Sequence, residues 1–178
     1  MPQAVTHVLI ALIIAELIRD YFVKDKKKFP LHYVLIAGIA GLLPDIDIIA
    51  YWVLYWFGFA LSGVHRTFSH NLFFPLIFLL IAGLTWRFKN KELGKHHLKL
   101  HTIFLMISLG VFIHLALDAT VSGYIMPLYP FSSFAIGLNL VSILPPILQQ
   151  LALPTLDAIL LILWLIHEEF RHKVSSFI

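Results

Sequence analysis

The sequence predicts an all-α, polytopic membrane bundle with about five crossings and one re-entrant or interfacial helix, formed as a single domain over residues 1–178. Hydrophobic residues make up 60% of the chain and charged residues only 13%, whereas soluble domains are about 45–50% apolar and about 25% charged. The mean hydropathy is +0.87. A soluble fold of this size could not bury so much apolar surface. The chain has no cysteine, which excludes disulfides and thiolate metal sites.

The positions of the lysines and arginines predict the topology. All of them except Arg66 lie at Arg19 or in the clusters 24–28, 87–99 and 171–173. Cytoplasmic loops carry an excess of these residues. We therefore place all three clusters and the C-terminus in the cytoplasm, the N-terminus outside, and the protein in the inner (cytoplasmic) membrane. The net charge of +3 is then explained by topology and anionic lipid, and a nucleic-acid partner is not favoured. The oligomeric state is left open.

The first half of the chain contains two predicted crossings and one segment that returns. Residues 3–23 and 31–43 are apolar enough to cross, and Pro44 ends the second because proline disfavours helix at the residue before it. Residues 48–62 are rich in Trp and Tyr, which favour the membrane interface. If this segment crossed the membrane, the basic loops 24–30 and 87–100 would lie on opposite sides, against the excess of Lys and Arg expected on the cytoplasmic side. We therefore predict that this segment is re-entrant or interfacial.

The second half contains three predicted crossings. Residues 72–86 return to the cytoplasmic side and residues 101–119 cross outward. Several prolines follow within 124–154, and we expect them to prevent one continuous helix. That stretch is therefore predicted to form loops and short interfacial helices, and residues 155–171 to form the last crossing.

Polar residues from four segments are predicted to lie at one depth. Along a helix that rises about 1.5 Å per residue, His7, Asp45, His70, His114 and Asp118 each lie about 22–28 Å from the nearest basic cluster. His114 and Asp118 are four residues apart and share one helix face. Ionisable groups inside a membrane are costly and mark functional sites. The sequence therefore predicts a site near the outer face.

The residue types at this level favour a metal site. Ligands of the His and Asp type suit zinc, manganese or iron better than calcium or magnesium. Two alternatives stay open: the aspartates around Pro44 as helix caps, and the His114–Asp118 pair as a buried hydrogen bond. It also stays open whether both Asp45 and Asp47, and both His65 and His70, bind metal. The candidate ligands are His7, Asp45, His65, His70, His114 and Asp118, with Asp47 as a further carboxylate.

Three other polar residues are not predicted to belong to this site. Glu16 lies nine residues beyond His7, too far along the helix to share its metal. His167 and His172 fall at the cytoplasmic end of the last crossing. The sequence therefore assigns them no function.

An ordered set of motifs resembles a known family. The set comprises Thr6-His7, Leu43-Pro44-Asp45-Ile46-Asp47, His65-Arg66 with Ser69-His70, His114 with Asp118, and Pro127 to Ser132. It resembles the inner-membrane metal-dependent hydrolases described as LexA-binding or LexA-regulated. That family is distantly similar to zinc-dependent phospholipase C and to the single-strand-specific zinc nucleases.

The resemblance implies a ligand arrangement. Asp45, one of His65 and His70, His114 and Asp118 would surround one ion, with His7 and Asp118 on a second. A His-x-x-x-Glu pair, which would hold a third ion, does not follow Asp118 in this sequence. We therefore expect one or two divalent ions, with zinc preferred and manganese or iron as alternatives.

These inferences lead to a hypothesis about function. The chain is expected to be a phospholipase C-like hydrolase of a phosphate ester in a phospholipid or polyprenyl-phosphate headgroup. Arg66 would bind the phosphate, because a guanidinium suits bidentate contacts. Asp47 would orient the attacking water if it is not a ligand. The alternatives are a metal-binding or metal-transporting membrane protein, and a structural protein whose polar cluster only fixes helix packing.

Overall fold

The computed structural model describes residues 4–88 and 92–173, and residues 89–91 of the predicted 87–100 loop lie outside the described part. The chain is mainly helical, as predicted. The helices are α1 (Ala4–Leu17), α2 (Leu31–Ala40), α3 (Ile46–Leu54), α4 (Leu61–Val64), α5 (Phe73–Thr85), α6 (Leu100–Thr120) and α7 (Pro146–His172). A π-helical turn, Ile18–Phe22, continues α1. Single 3-10 turns cover Lys26–Lys28, Tyr55–Phe57, Trp86–Phe88 and Leu140–Ile143.

Helix α6 lies at the centre of the bundle. It packs against α1, α2 and α5, and α7 packs on the other side of α1. Gly110 brings α6 very close to α2, because a Cβ there would lie 2.3 Å from the Ala37 carbonyl oxygen. Small residues permit this kind of close packing between membrane helices. Tyr33, Val34 and Met106 fill the core beside this contact.

Two elements differ from the sequence-based expectation. The helix predicted as the last crossing over 155–171 begins at Pro146, so residues 146–154 are helical rather than loop, although no single helix covers 124–154, as predicted. Pro146 fits the first turn, where its missing N–H costs nothing, and Pro154 is accommodated inside the helix. A two-stranded hairpin, β1 (Glu92–Leu93) with β2 (Leu98–Lys99), occupies part of the 87–100 loop and was not predicted.

The break at Pro44 occurs as predicted, with shifted boundaries. Helix α2 ends at Ala40 rather than at residue 43, and α3 begins at Ile46 rather than 48. Asp47 therefore lies in the first turn of α3. The segment then returns to its starting level, because Nδ1 of His65 lies 2.9 Å from Oδ1 of Asp47. Residues 46–64 therefore do not carry the chain from one end of the bundle to the other.

Two helices in the described part are long and apolar enough to cross a membrane, α6 and α7. Helices α2 and α5 are apolar but shorter. The remaining crossings of the predicted five stay a prediction. Little of α7 is buried inside the bundle, and side chains such as Leu151, Ile162 and Leu163 are open to the surroundings. Such a surface suits a lipid environment better than water.

Candidate metal centre

Five predicted ligands converge in the structure. His7 comes from α1, Asp45 from the turn after α2, His70 from the loop before α5, and His114 and Asp118 from α6. All except Asp45 are buried, and the Asp45 side chain is 27% exposed. We call these five residues the His/Asp centre.

The ligand atoms face one another across short distances. Nε2 of His70 lies 3.4 Å from Asp118 Oδ2 and 3.6 Å from Asp45 Oδ1. Nε2 of His114 lies 3.6 Å from Asp118 Oδ2 and 3.7 Å from Asp45 Oδ1. Nε2 of His7 lies 3.7 Å from Asp118 Oδ1, and its ring stacks on that of His114. Two ligand atoms about 2.1 Å from a tetrahedral ion lie about 3.4 Å apart, so this spacing suits a metal ion.

The outer nitrogens of two of these histidines are already engaged. Nδ1 of His114 lies 2.7 Å from the carbonyl oxygen of Gly41, and Nδ1 of His70 lies 3.2 Å from Asp47 Oδ2. A carbonyl or carboxylate partner at Nδ1 assigns the proton to that nitrogen and leaves Nε2 with a lone pair, as in metal-ligating histidines. Yet the two Nε2 atoms lie only 3.2 Å apart. A cation between them would relieve the repulsion of these lone pairs.

Asp47 stands behind the His/Asp centre. Its oxygens contact Nδ1 of His65 and of His70, and they accept hydrogen bonds from the Arg66 backbone N–H and the Ser69 hydroxyl. Both oxygens of Asp47 are therefore engaged by residues 65–70, which suits a carboxylate that fixes the orientation of His70.

His65 lies beside the centre. Its Nδ1 is held by Asp47, and its Nε2 is buried without a hydrogen-bond partner in the described part of the chain. His65, His70 and Asp45 also form a group that could hold an ion, with ligand atoms within 4.8 Å of one another. The structure therefore leaves His65 able to bind a metal or to accept a proton.

Arg66 places a buried guanidinium against Asp118. Its Nη2 lies 3.5 Å from Asp118 Oδ1 and donates to the Ser122 carbonyl at 3.3 Å, while its Nε has no described partner. Arg66 itself adopts a left-handed φ of 64°. A Cβ on Gly123 would come within 2.1 Å of Nη1, and Gly123 has a φ of 142°. Glycine at this position therefore makes room for the guanidinium.

The loop that carries His65 and His70 is fixed at its far end. The Asn71 amide donates to the Phe68 carbonyl, and its oxygen accepts the Phe74 N–H at the start of α5. The Leu72 N–H donates to the Pro127 carbonyl. These bonds connect the loop to the stretch from Pro127 to Ser132, which was part of the resemblance.

Thr6 and Asp157 belong to the surroundings of the centre and were not singled out as a pair. The Thr6 hydroxyl donates to Oδ1 of Asp157, which joins α1 to α7 beside His7. The two residues are 151 positions apart. The available signal in the sequence was the isolated charge of Asp157 within an apolar segment.

An apolar cavity of about 620 Å³ lies between α5 and α6. Leu72 and Pro75 line it, and they follow His70 closely in the chain. Leu105, Leu109 and Phe112 line it from α6, the helix that carries His114. The cavity is therefore an apolar groove between α5 and α6 that opens to the surroundings through exposed side chains such as Leu76 and Phe112, and none of its lining residues belongs to the His/Asp centre.

These features define a helical membrane protein with a buried His/Asp cluster in its bundle. The chain belongs to the YdjM inner membrane protein family, whose family model matches residues 1–174. No curated protein and no solved structure matches the chain significantly. Membership of this family agrees with the predicted location in the inner membrane.

Proposed function

We propose that this protein is a membrane-embedded, metal-dependent hydrolase that cleaves a phosphate ester in a lipid or polyprenyl headgroup. The observation that carries the proposal is the approach of the His70 and His114 Nε2 atoms to 3.2 Å between the carboxylates of Asp45 and Asp118. Such a set favours a zinc-like dication. The resemblance to metal-dependent hydrolases points to the same chemistry.

The residues of the site would perform three tasks: metal binding, phosphate binding and proton transfer. The five members of the His/Asp centre would hold one or two divalent ions. A bound ion supplies Lewis acidity, which polarises a phosphoryl oxygen and makes a water acidic enough to attack near neutral pH. Arg66 would bind the phosphate through donors other than the Nη2 that faces Asp118, and a guanidinium matches phosphate geometry.

We assign proton transfer to His65. Asp47 holds its Nδ1, and the free Nε2 is available to take the proton of the attacking water. The water oxygen would then bond to phosphorus, and the ester P–O bond would break with its electron pair on the leaving oxygen. That oxygen would take up a proton from solvent as it departs, and His65 would later return its proton to solvent, so that no net proton stays on the protein. Asp47 becomes a positioning residue here, in place of the water-orienting role that the sequence suggested.

The apolar cavity supports a lipid substrate. We assign the hydrocarbon chain of the substrate to the cavity between α5 and α6, whose exposed lining is almost entirely apolar and whose lining residue Leu72 lies two positions after His70. Ligand sites combine such apolar surface with a few fixed polar groups. A small soluble phosphate ester would leave this surface unused.

The test is hydrolysis by the purified full-length chain. The protein is reconstituted with mixed phospholipids and a polyprenyl phosphate, with zinc or manganese, and released phosphate and headgroup are measured. Hydrolysis that requires metal and is lost in His70→Ala supports the proposal. His65→Gln should keep the metal and lose turnover, whereas His97→Ala, an exposed control, should change neither.

Three results would overturn it. No release of phosphate or headgroup with any metal would exclude the hydrolase. Metal uptake into proteoliposomes without hydrolysis would favour the metal-transporting alternative. A metal-free protein by elemental analysis would leave only the structural alternative.

A further inference from the structure

A second cluster of ionisable residues lies at the other end of α1. Glu16 lies in the last turn of α1, and Asp20 lies in the π-helical turn that follows. His167, Glu168 and His172 come from the last turns of α7. We call these five residues the α1–α7 cluster. Glu16 is nine residues beyond His7, or about 14 Å along the helix. No single ion can therefore serve both this cluster and the His/Asp centre.

Three inward-facing atoms of this cluster have charged neighbours at 3.4–3.7 Å but make no hydrogen bond of standard geometry. Glu16 is 1% exposed, and the Asp20 side chain is fully buried. Oε1 of Glu16, Oδ2 of Asp20 and Nε2 of His167 have no hydrogen-bond partner in the described part of the chain. Buried polar atoms are rarely left unsatisfied, and each one calls for an explanation such as an ion. Here three such atoms belong to residues that face one another.

The spacing of the three residues suits a metal ion. Glu16, Asp20 and His167 each offer a ligand atom within 4.8 Å of the others. Nε2 of His167 lies 3.4 Å from Oδ2 of Asp20. Two carboxylates and one imidazole suit a first-row dication such as zinc. Three protein ligands would leave one tetrahedral position for solvent.

The outer atoms of the two carboxylates are fixed. The Trp164 indole N–H donates to Oε2 of Glu16 at 2.9 Å. Arg19 and Lys26 both contact Oδ1 of Asp20 at 3.0 Å. Partners of this kind orient metal ligands and hold them ready for the ion.

His172 and Glu168 flank the three residues. Nδ1 of His172 lies 2.9 Å from Oε2 of Glu168 and 3.6 Å from Oε1 of Glu16. Nε2 of His172 lies 3.4 Å from Nη1 of Arg19. The pair therefore closes the side of the cluster formed by α7.

The π-helical turn is the backbone feature that builds the cluster. It continues α1 through Ile18–Phe22 and contains Asp20, the second carboxylate. Such turns inside helices are rare and occur frequently at functional sites. Arg19, on the same turn, also donates to the Phe29 carbonyl, which ties the turn to the loop that follows.

We propose that Glu16, Asp20 and His167 bind a second divalent cation, of the zinc type, which joins the end of α1 to the end of α7. Its ligands come from both helices, so the ion would act as a cross-link between them. It is separate from the His/Asp centre, and it does not depend on whether that centre hydrolyses lipid.

The first experiment counts metal where the His/Asp centre has been removed. The full-length chain carrying His70→Ala and His114→Ala is purified without chelator and equilibrated with zinc. We expect one equivalent of zinc to remain. Adding His167→Ala should remove it, whereas adding His97→Ala, an exposed histidine on the β-hairpin side, should not. Equal zinc content in these two variants would overturn the proposal.

The second experiment uses the unmutated protein, so it does not depend on the folding of any variant. Diethyl pyrocarbonate modifies accessible imidazoles, and mass spectrometry measures each histidine separately. The His167 side chain is 21% exposed and the His97 side chain 75% exposed. Zinc should slow the modification of His167 several-fold and leave His97 unchanged. Modification of His167 at the same rate with and without zinc would show that it binds no ion.

Discussion

Oδ2 of Asp47 lies 3.2 Å from Nδ1 of His70, on the opposite side of the imidazole from the Nε2 that faces His114. The carboxylate therefore sets which nitrogen of His70 is available inside the His/Asp centre. In the proposed site Asp47 would therefore support His70 from behind, and this role can be tested by a substitution that keeps the shape of the side chain.

Asp47→Asn should weaken metal binding about 10- to 100-fold, as expected when a partner behind a ligating histidine is lost. The amide keeps one acceptor but cannot serve His65, His70, Arg66 and Ser69 together. Zinc affinity is measured by competition with a chelator. Asp25→Asn, at a carboxylate in the loop after α1, is the matched control and should bind zinc normally. Unchanged affinity in Asp47→Asn would remove its supporting role.

Asp118→Ala should lose more metal than any other single change in the His/Asp centre. Its two oxygens face three histidines, His7 through Oδ1 and His70 and His114 through Oδ2. A carboxylate in this position can bind two ions. Elemental analysis of the purified variant gives the metal content, with His7→Ala as the comparison. Equal metal content in Asp118→Ala and the wild type would exclude a bridging role.

Arg66→Lys should keep the metal and weaken turnover, because lysine retains the charge without the planar set of donors. The comparison is between metal content and the rate of lipid hydrolysis. Loss of metal in the same proportion as turnover would mean that Arg66 only maintains the structure around Asp118.

Gly123→Ala should disturb the same guanidinium, because the added methyl group would collide with it. The added Cβ would lie 2.1 Å from Arg66 Nη1, and the backbone φ of 142° is strained for alanine. The variant should therefore reproduce the Arg66→Lys phenotype, with metal retained and turnover reduced. Gly83→Ala is the control, since a Cβ there meets nothing within 4 Å.

Leu109→Trp should separate long substrates from short ones. The larger side chain would fill part of the cavity between α5 and α6. We expect the KM for a long-chain lipid to rise, while hydrolysis of a short-chain, water-soluble analogue stays near the wild-type rate. An equal effect on both substrates would argue against a hydrocarbon chain in this cavity.

The predicted topology has its own test, which the cysteine-free sequence makes clean. Single cysteines replace four exposed residues: Lys27, Ala60, Lys95 and Ser133. In intact cells an impermeant thiol reagent should label Ala60→Cys and Ser133→Cys. The other two should be labelled only after permeabilisation. Labelling of Ala60→Cys and Ser133→Cys from opposite sides would contradict the predicted arrangement.

Two features of the sequence were enough to predict that five residues lie close together: His7, Asp45, His70, His114 and Asp118. The basic clusters give the direction of each segment, and the helical rise gives the depth of each residue. Asp47 and His65 were harder to assign. Their roles depend on which nitrogen of an imidazole faces a carboxylate, and spacing along the chain carries no information about that.

The boundaries of α7 and the pairing of its residues could not be predicted in the same way. Pro154 lies inside the helix, where proline normally breaks one, and neighbouring helices in a membrane protein can compensate for the lost hydrogen bond. Glu16 was judged only by its distance from His7. Its pairing with Trp164 joins residues 148 positions apart. The four-residue spacings Glu16–Asp20 and Glu168–His172 were the signal that could have indicated the α1–α7 cluster.

The helices differ greatly in length. Helix α2 has 10 residues and α7 has 27, so they measure about 15 Å and about 40 Å, against a hydrocarbon layer of about 30 Å. Leu35 and Ile39 lie on the exposed face of α2. With α2 crossing the membrane as predicted, lipids beside this face would meet a hydrophobic mismatch that thinning of the bilayer relieves. Headgroups would then be drawn toward the turn that carries Asp45. A lipid substrate would reach the His/Asp centre by lateral diffusion into this depression, without first leaving the membrane.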